Sequence, residues 1–176
     1  MMQGGVGDCY FISSLSAIAE FPSLIFQLFR TQEVNENGFY EKVLFKVGEW
    51  QIVFMDDYLP IKSGTEFLAF AGKNKTVDKK NELWVLLLEK AWAKLNGGYS
   101  NIRWGHPDEV FLTFTGSATE WVNHVALKND EIWNIIKTAD DSNKIMATCS
   151  NTEQVDNNGI VGNHAYSIIG TKSKIH

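Results

Sequence analysis

"QGGVGDCYFISSLSAIAEF", residues 3–21, joins a glycine-rich loop to an apolar run. Tyr10, Phe11, Ile12, Leu15, Ile18 and Ala19 recur with the spacing of a largely buried helix. Gly4, Gly5 and Gly7 precede the run, and Asp8 stands where an N-cap belongs. Cys9 then falls in the first helical turn, where unpaired backbone N–H groups and the helix dipole favour an anion. The thiolate is the nucleophilic form of cysteine, so this placement suits a catalytic thiol. It also suits an inert core cysteine, which is how most free cysteines behave.

The surrounding chain is that of an ordinary globular protein. Its 176 residues are 44% hydrophobic and 21% charged, enough for one domain or two small lobes with a real core. A net charge of −5 gives no electrostatic reason to expect nucleic acid or an acidic membrane as partner. No apolar stretch is long enough for a membrane span, and Met1 is not followed by a signal-like pattern. Cys9 and Cys149 are too few for a disulfide framework, which points to a reducing, intracellular setting such as the cytoplasm.

Periodicity outlines an α+β chain. A short helix is expected at 23–30, then a hairpin of strands 39–47 and 50–57 turning at Gly48-Glu49. Residues 81–98 read as a long helix with Trp84, Leu87, Leu88, Ala91 and Leu95 on its apolar stripe, stopped by Gly97-Gly98. A breaker-rich loop leads to a helix at 129–138 and strands near 145–149 and 160–170. Helices dominate the first two-thirds and strands the rest. That suggests two unlike lobes, residues 1–116 and 117–176, meeting near "FTGSATE" (114–120).

"GNHAYSIIG" (162–170) places His164 at the start of an apolar strand. An imidazole near a thiol can take its proton and hold it as imidazolium. His164 follows Cys9 by 155 positions (9 to 164), near the roughly 130–150 of papain-type Cys/His pairs. A lone strand histidine is otherwise a structural residue. The amide of Gln3 could donate to a developing oxyanion beside the Cys9 backbone N–H. A metal centre is the rival reading, but His106, His124 and His176 form no paired-ligand spacing with the cysteines. The loop glycines lack the following GK[ST] of a phosphate loop.

Taken together, these blocks resemble the calpain family. "QGGVGDCYFISSLSAIA" is similar to its QG-x-x-GDCW motif, and "GEWQIVFMDDYLPIKSG" (48–64) to its hairpin with an Asp-Asp-x-Leu-Pro exit. "NELWVLLLEKAWAKLNGGY" (81–99) resembles its long helix; "FTGSATEW" (114–121) and "NHAYSIIG" (163–170) resemble two further blocks in the family's order. The resemblance implies a papain-like, two-lobed cysteine protease with a helical first lobe and a β-rich, truncated second lobe. It implies Cys9 as nucleophile, His164 as base and Gln3 in the oxyanion hole. It places the substrate-binding glycine at Gly105. The residue before the histidine, usually Gly on the cleft wall, is Asn163 here. The family's Trp after the cysteine is Tyr10, and the second Gly after "FT" is Ser117.

Calcium, one ion to each lobe, is the implied cofactor, with Glu82 at a first-lobe ligand position. Protein substrates are the implied partners, with regulatory domains or a subunit outside this chain. The family's pattern continues before Gln3 with further calcium ligands. It continues after His176 with an Asn that orients the histidine and with second-lobe calcium ligands. The expectation is a core incomplete at both ends. Two functions follow: a calcium-regulated intracellular cysteine endopeptidase, or a catalytically inactive fragment acting as a binding module or remnant.

Overall fold

A computed structural model describes residues 3–72, 74–75, 81–150 and 159–173. The chain runs α1 (Cys9–Ile18), α2 (Pro22–Phe26), β1 (Phe39–Lys46), β2 (Glu49–Asp56), β3 (Asn74–Lys75), β4 (Asn81–Glu82) and α3 (Trp84–Leu95). A 3-10 turn (Tyr99–Ile102), α4 (Pro107–Thr115), a second 3-10 turn (His124–Ala126), α5 (Asn129–Asp141), β5 (Met146–Ser150) and β6 (His164–Ile168) complete it. The strands form three antiparallel pairs, β1–β2, β3–β4 and β5–β6. The mixed content is α+β.

The core is built around α1. Phe11 is fully buried and sits against Trp92 and Phe114, with ring centroids 6.1 Å and 5.7 Å away. The helix also carries three serines, which buried apolar surroundings would penalise. Each satisfies its hydroxyl within the helix: Ser13 and Ser14 donate to the Tyr10 carbonyl (3.1 and 2.7 Å), Ser16 to that of Ile12 (3.0 Å). On one side α1 packs against α4, on the other against β5 and β6. Lysines tie α3 to the β1–β2 hairpin: Lys94 donates to the Phe54 carbonyl (2.6 Å), Lys90 to that of Asp56 (2.9 Å) and Lys46 to that of Leu95 (2.8 Å).

Several boundaries differ from the sequence expectation. The helix expected over 23–30 ends at Phe26, because residues 28–30 serve as an edge for β1. Val43 N–H donates to the Leu28 carbonyl (2.9 Å), Arg30 N–H to that of Glu41 (3.2 Å), and Phe29 bridges Lys42. The hairpin turns at Val47-Gly48, not Gly48-Glu49. Both residues hold positive φ (55° and 82°), the geometry that suits a two-residue loop between right-twisted strands. The long helix starts at Trp84 instead of residue 81, since Asn81–Glu82 pair with Asn74–Lys75 as β4. The stretch read as a breaker-rich loop contains α4.

Lys42 is the unexpected core residue. It is fully buried on β1, its amine meets no hydrogen-bond partner among the described residues, and it lies 4.2 Å from the Phe29 ring centroid. Burial pulls its ammonium down to about 8.

Candidate active site

The loop before α1 is shaped by close packing. Gly5 N–H donates to the Ala69 carbonyl (3.0 Å), and a Cβ on Gly4 would overlap the Phe70 backbone. This is the physical use of the glycine run. It brings the chain flat against residues 69–70 before it turns into the helix. Cys9 is the first residue of α1 and is half-buried. Asp8 is the N-cap but makes no side-chain cap hydrogen bond, contrary to the role expected for it. Its carboxyl turns inward and is fully buried.

A cleft of about 210 Å³ opens beside Cys9. Gln3, Cys9, Ile12 and Ser13 line one wall; His164, Ala165, Tyr166 and Ser167 line the other. The expected nucleophile and base thus face one space from two different elements. Ala165 reaches into the common core and lets β6 lie close to α1. The His164 backbone N–H donates to Ser150 Oγ at 3.2 Å, and its ring meets Tyr166 edge-on at 5.0 Å between centroids.

Gln3 also joins Cys9, in a different sense from the one expected. With its amide oriented to meet the donors, the Gln3 oxygen accepts from the N–H of Cys9 (3.1 Å) and Asp8 (3.2 Å). These are orphan donors of a helix start, and an amide oxygen satisfies them. Gly105 and Asn163 lie outside the cleft lining. Gly105 packs on the Tyr10 ring, where a Cβ would sit 2.6 Å from it. Next to it, Trp104 N–H donates to the Gly7 carbonyl (3.1 Å), so this segment buttresses the Cys9 loop. Asn163 is exposed and holds a positive φ of 49°, turning the chain directly into His164.

Tyr10, at the expected Trp position, is buried. Its hydroxyl donates to the Ile102 carbonyl (3.0 Å) and accepts from Trp92 Nε1 (3.1 Å). Cys149 is half-buried on β5, opposite Ala165. Burial pushes its thiol up, and the neighbouring Cys9 and Asp108 charges add to this. Glu82 contributes its backbone to β4, while its side chain lies outside the described residues. Among the described residues no three His, Cys, Asp or Glu side chains gather as metal ligands. Also among them, no helix is long and apolar enough to cross a membrane.

Sequence reasoning missed the far wall beyond His164, the Ser150 contact, and the acid that meets Asp8. That acid is Glu89 of α3, 2% exposed. A glutamate between Val85 and Trp92 on a helix whose neighbours are apolar was its one visible signal.

The family profile described as "Calpain family cysteine protease" matches residues 1–176. The chain is 33% identical over 176 residues to the calpain-type cysteine protease ADL1 of Oryza sativa subsp. japonica, covering 95% of this chain and 8% of that one. It is 33% identical over 176 residues to the calpain-type cysteine protease DEK1 of Zea mays, with the same coverage. It is 30% identical over 178 residues to the calpain-1 catalytic subunit of Homo sapiens, covering 97% of this chain and 24% of the relative. The chain therefore spans a quarter or less of the length of these relatives.

Proposed function

Since the chain belongs to the calpain family of cysteine proteases, we propose that it is the core of a cysteine endopeptidase, papain-like and two-lobed, with Cys9 as nucleophile and His164 as base. The observation that carries this reading is the single cleft lined by both residues. In the proposed reaction Cys9 Sγ attacks a peptide carbonyl while His164 takes the thiol proton. The imidazolium returns the proton to the leaving amine, leaving a thioester on Cys9. Water, deprotonated by His164, then hydrolyses the thioester. The carbonyl oxygen of the substrate takes the place of the Gln3 oxygen at the Cys9 N–H, and the Gln3 amide turns to present its NH₂. Gly105 and Asn163 are proposed to meet the substrate backbone, Gly105 from the segment that buttresses the loop.

The lobes are proposed as residues 1–116 and 117–176, the substrates as proteins, and the setting as intracellular. Calcium regulation belongs to the same proposal, with Glu82 as its assigned ligand. Calcium takes about 6–8 oxygens, so one carboxylate gives weak binding to residues 1–176, and Glu82→Gln should change their calorimetric titration little. Tight binding would show that the ligand set lies elsewhere in the chain.

The deciding experiment is casein cleavage in calcium by the chain and by Cys9→Ala, alongside iodoacetamide labelling mapped to each cysteine. Cleavage that vanishes in Cys9→Ala, with Cys9 labelling faster than Cys149, supports the protease. Preferential labelling of Cys149 without cleavage favours a non-catalytic binding module.

A further inference from the structure

Asp8 precedes the proposed nucleophile, and neither of its carboxyl oxygens makes a hydrogen bond of good geometry among the described residues, although its own backbone N–H and the Gln3 side chain lie near enough to favour its charged form. Its neighbour is another acid. Glu89 stands within hydrogen-bonding reach, and its two oxygens each lie 3.1 Å from the Ala71 nitrogen, whose N–H donates to them. Desolvation raises both carboxyls, and the Asp8 charge raises Glu89 further.

Among the described residues the groups facing the pair offer no counter-charge, and the Gln3 side chain that reaches Asp8 from the loop is neutral. From α1 these are Cys9 and Tyr10, whose hydroxyl is engaged with Ile102 and Trp92. From the 3-10 turn it is Tyr99, pushed up by burial and by the Glu89, Asp8 and Asp56 charges, and hence neutral. Arg103 lies along Gly7, is exposed, and makes no ion pair with Asp8. The Glu89 side borders a small cavity with apolar walls from Leu59, Leu68, Phe70 and Leu86.

Two carboxylates in contact, without a cation and away from water, cannot both hold their charge. One proton between them turns two acceptors into a donor and an acceptor. We propose that Asp8 and Glu89 share one proton, and that this acid–carboxylate pair is the positioning element that ties the Cys9 loop to α3. The positioning role rests on the reading of Cys9 as nucleophile; the shared proton does not. Glu89 then clamps two things at once, residue 71 through its N–H and residue 8 through the proton. Losing the proton sets two charges against each other one residue from Cys9.

The linkage has a definite sign. The folded chain keeps a proton that an unfolded chain releases near the ordinary glutamate value of 4.5. Stability therefore falls as pH rises above that value and levels off once the folded pair has ionised.

The test uses the 176-residue chain, Glu89→Gln and Glu89→Leu. Infrared spectra should show a protonated-carboxyl stretch at neutral pH, absent from Glu89→Gln. In Glu89→Gln the amide donates to the Asp8 carboxylate, so Cys9 should alkylate at nearly the parental rate while the fall of melting temperature with pH flattens. Glu89→Leu leaves the buried Asp8 carboxyl without its partner and frees the Ala71 N–H, and Cys9 alkylation in the folded chain should slow about tenfold or more. No protonated-carboxyl band in the parent overturns the shared proton. Equal alkylation by the Gln and Leu variants overturns the positioning role. A persistent band in a chain whose Cys9 reacts no faster than Cys149 overturns the nucleophile reading and the positioning role with it, and leaves the shared proton standing.

Discussion

The two walls of the cleft are held by different means. The α1 wall is packed from all sides: eight of its ten residues are buried, and Phe11 and Leu15 are wholly enclosed. The opposite wall is a two-stranded hairpin in which Ala165 alone is buried and every other β5 and β6 residue is half-exposed. A lone pair of strands is marginal without a face to pack on. The hairpin obtains one by laying Ala165 against α1. The proposed nucleophile thus rides on the most deeply set element and the proposed base on a lightly held one. Local opening should disturb His164 long before it disturbs Cys9.

The largest effects should come from removing the two residues the walls contribute. Cys9→Ala and His164→Ala should each lower casein cleavage by about a thousandfold or more. If the walls act as one unit, the double variant should be no slower than either single variant. Additive losses would mean the two residues work separately, and the shared-cleft mechanism would fall.

Packing gives the next contrast. Phe11→Ala should cost about 3–5 kcal/mol, since it empties a site enclosed by Trp92 and Phe114. Ile168→Ala, half-exposed on β6, should cost about 1–2 kcal/mol. Thermal melts measure both. Equal losses would mean that the hairpin is as firmly built as the helix.

The same contrast explains what could be read from sequence. The position of Cys9 at the start of a buried helix was legible, because helical apolar spacing and a glycine loop are local signals. His164 was legible as a strand residue, but its approach to Cys9 depends on Ala165 docking on α1, a contact no local pattern encodes. The missed α4 did carry its signals: Pro107 in its first turn, acids Asp108 and Glu109 beside it, and Gly116 in left-handed conformation (φ 69°) as a stop. Gly105 just upstream made the stretch look like a loop, although that glycine is there to admit the Tyr10 ring. Asp8 fits the pattern of an N-cap, and only its partner Glu89, the sixth residue of α3, reveals why its carboxyl points inward. On α3 the apolar stripe is broader than Trp84, Leu87, Leu88, Ala91 and Leu95, since Val85, Leu86 and Trp92 are buried too.

The smallest effect expected is also the most discriminating between the walls. Ser150 Oγ donates to the Val161 carbonyl (2.6 Å) and accepts from the His164 N–H (3.2 Å), so one hydroxyl fastens the start of β6 to the end of β5. Ser150→Ala removes that fastening and leaves the backbone ladder intact. Loss of a hydrogen bond of this kind costs about 1 kcal/mol, a drop of roughly 2–4 °C in melting temperature for a chain of this size. Ser16 on α1 is the matched control: it is half-buried, and its hydroxyl donates to the Ile12 carbonyl at 3.0 Å. Ser16→Ala should lower stability to a similar degree. The two should part in function. Ser150→Ala loosens the residue that carries the imidazole, so kcat should fall several-fold while alkylation of Cys9 is unchanged; Ser16→Ala should leave both alone. If the two variants lower kcat equally, the hairpin holds His164 without help from Ser150, and the difference drawn between the walls is one of burial only.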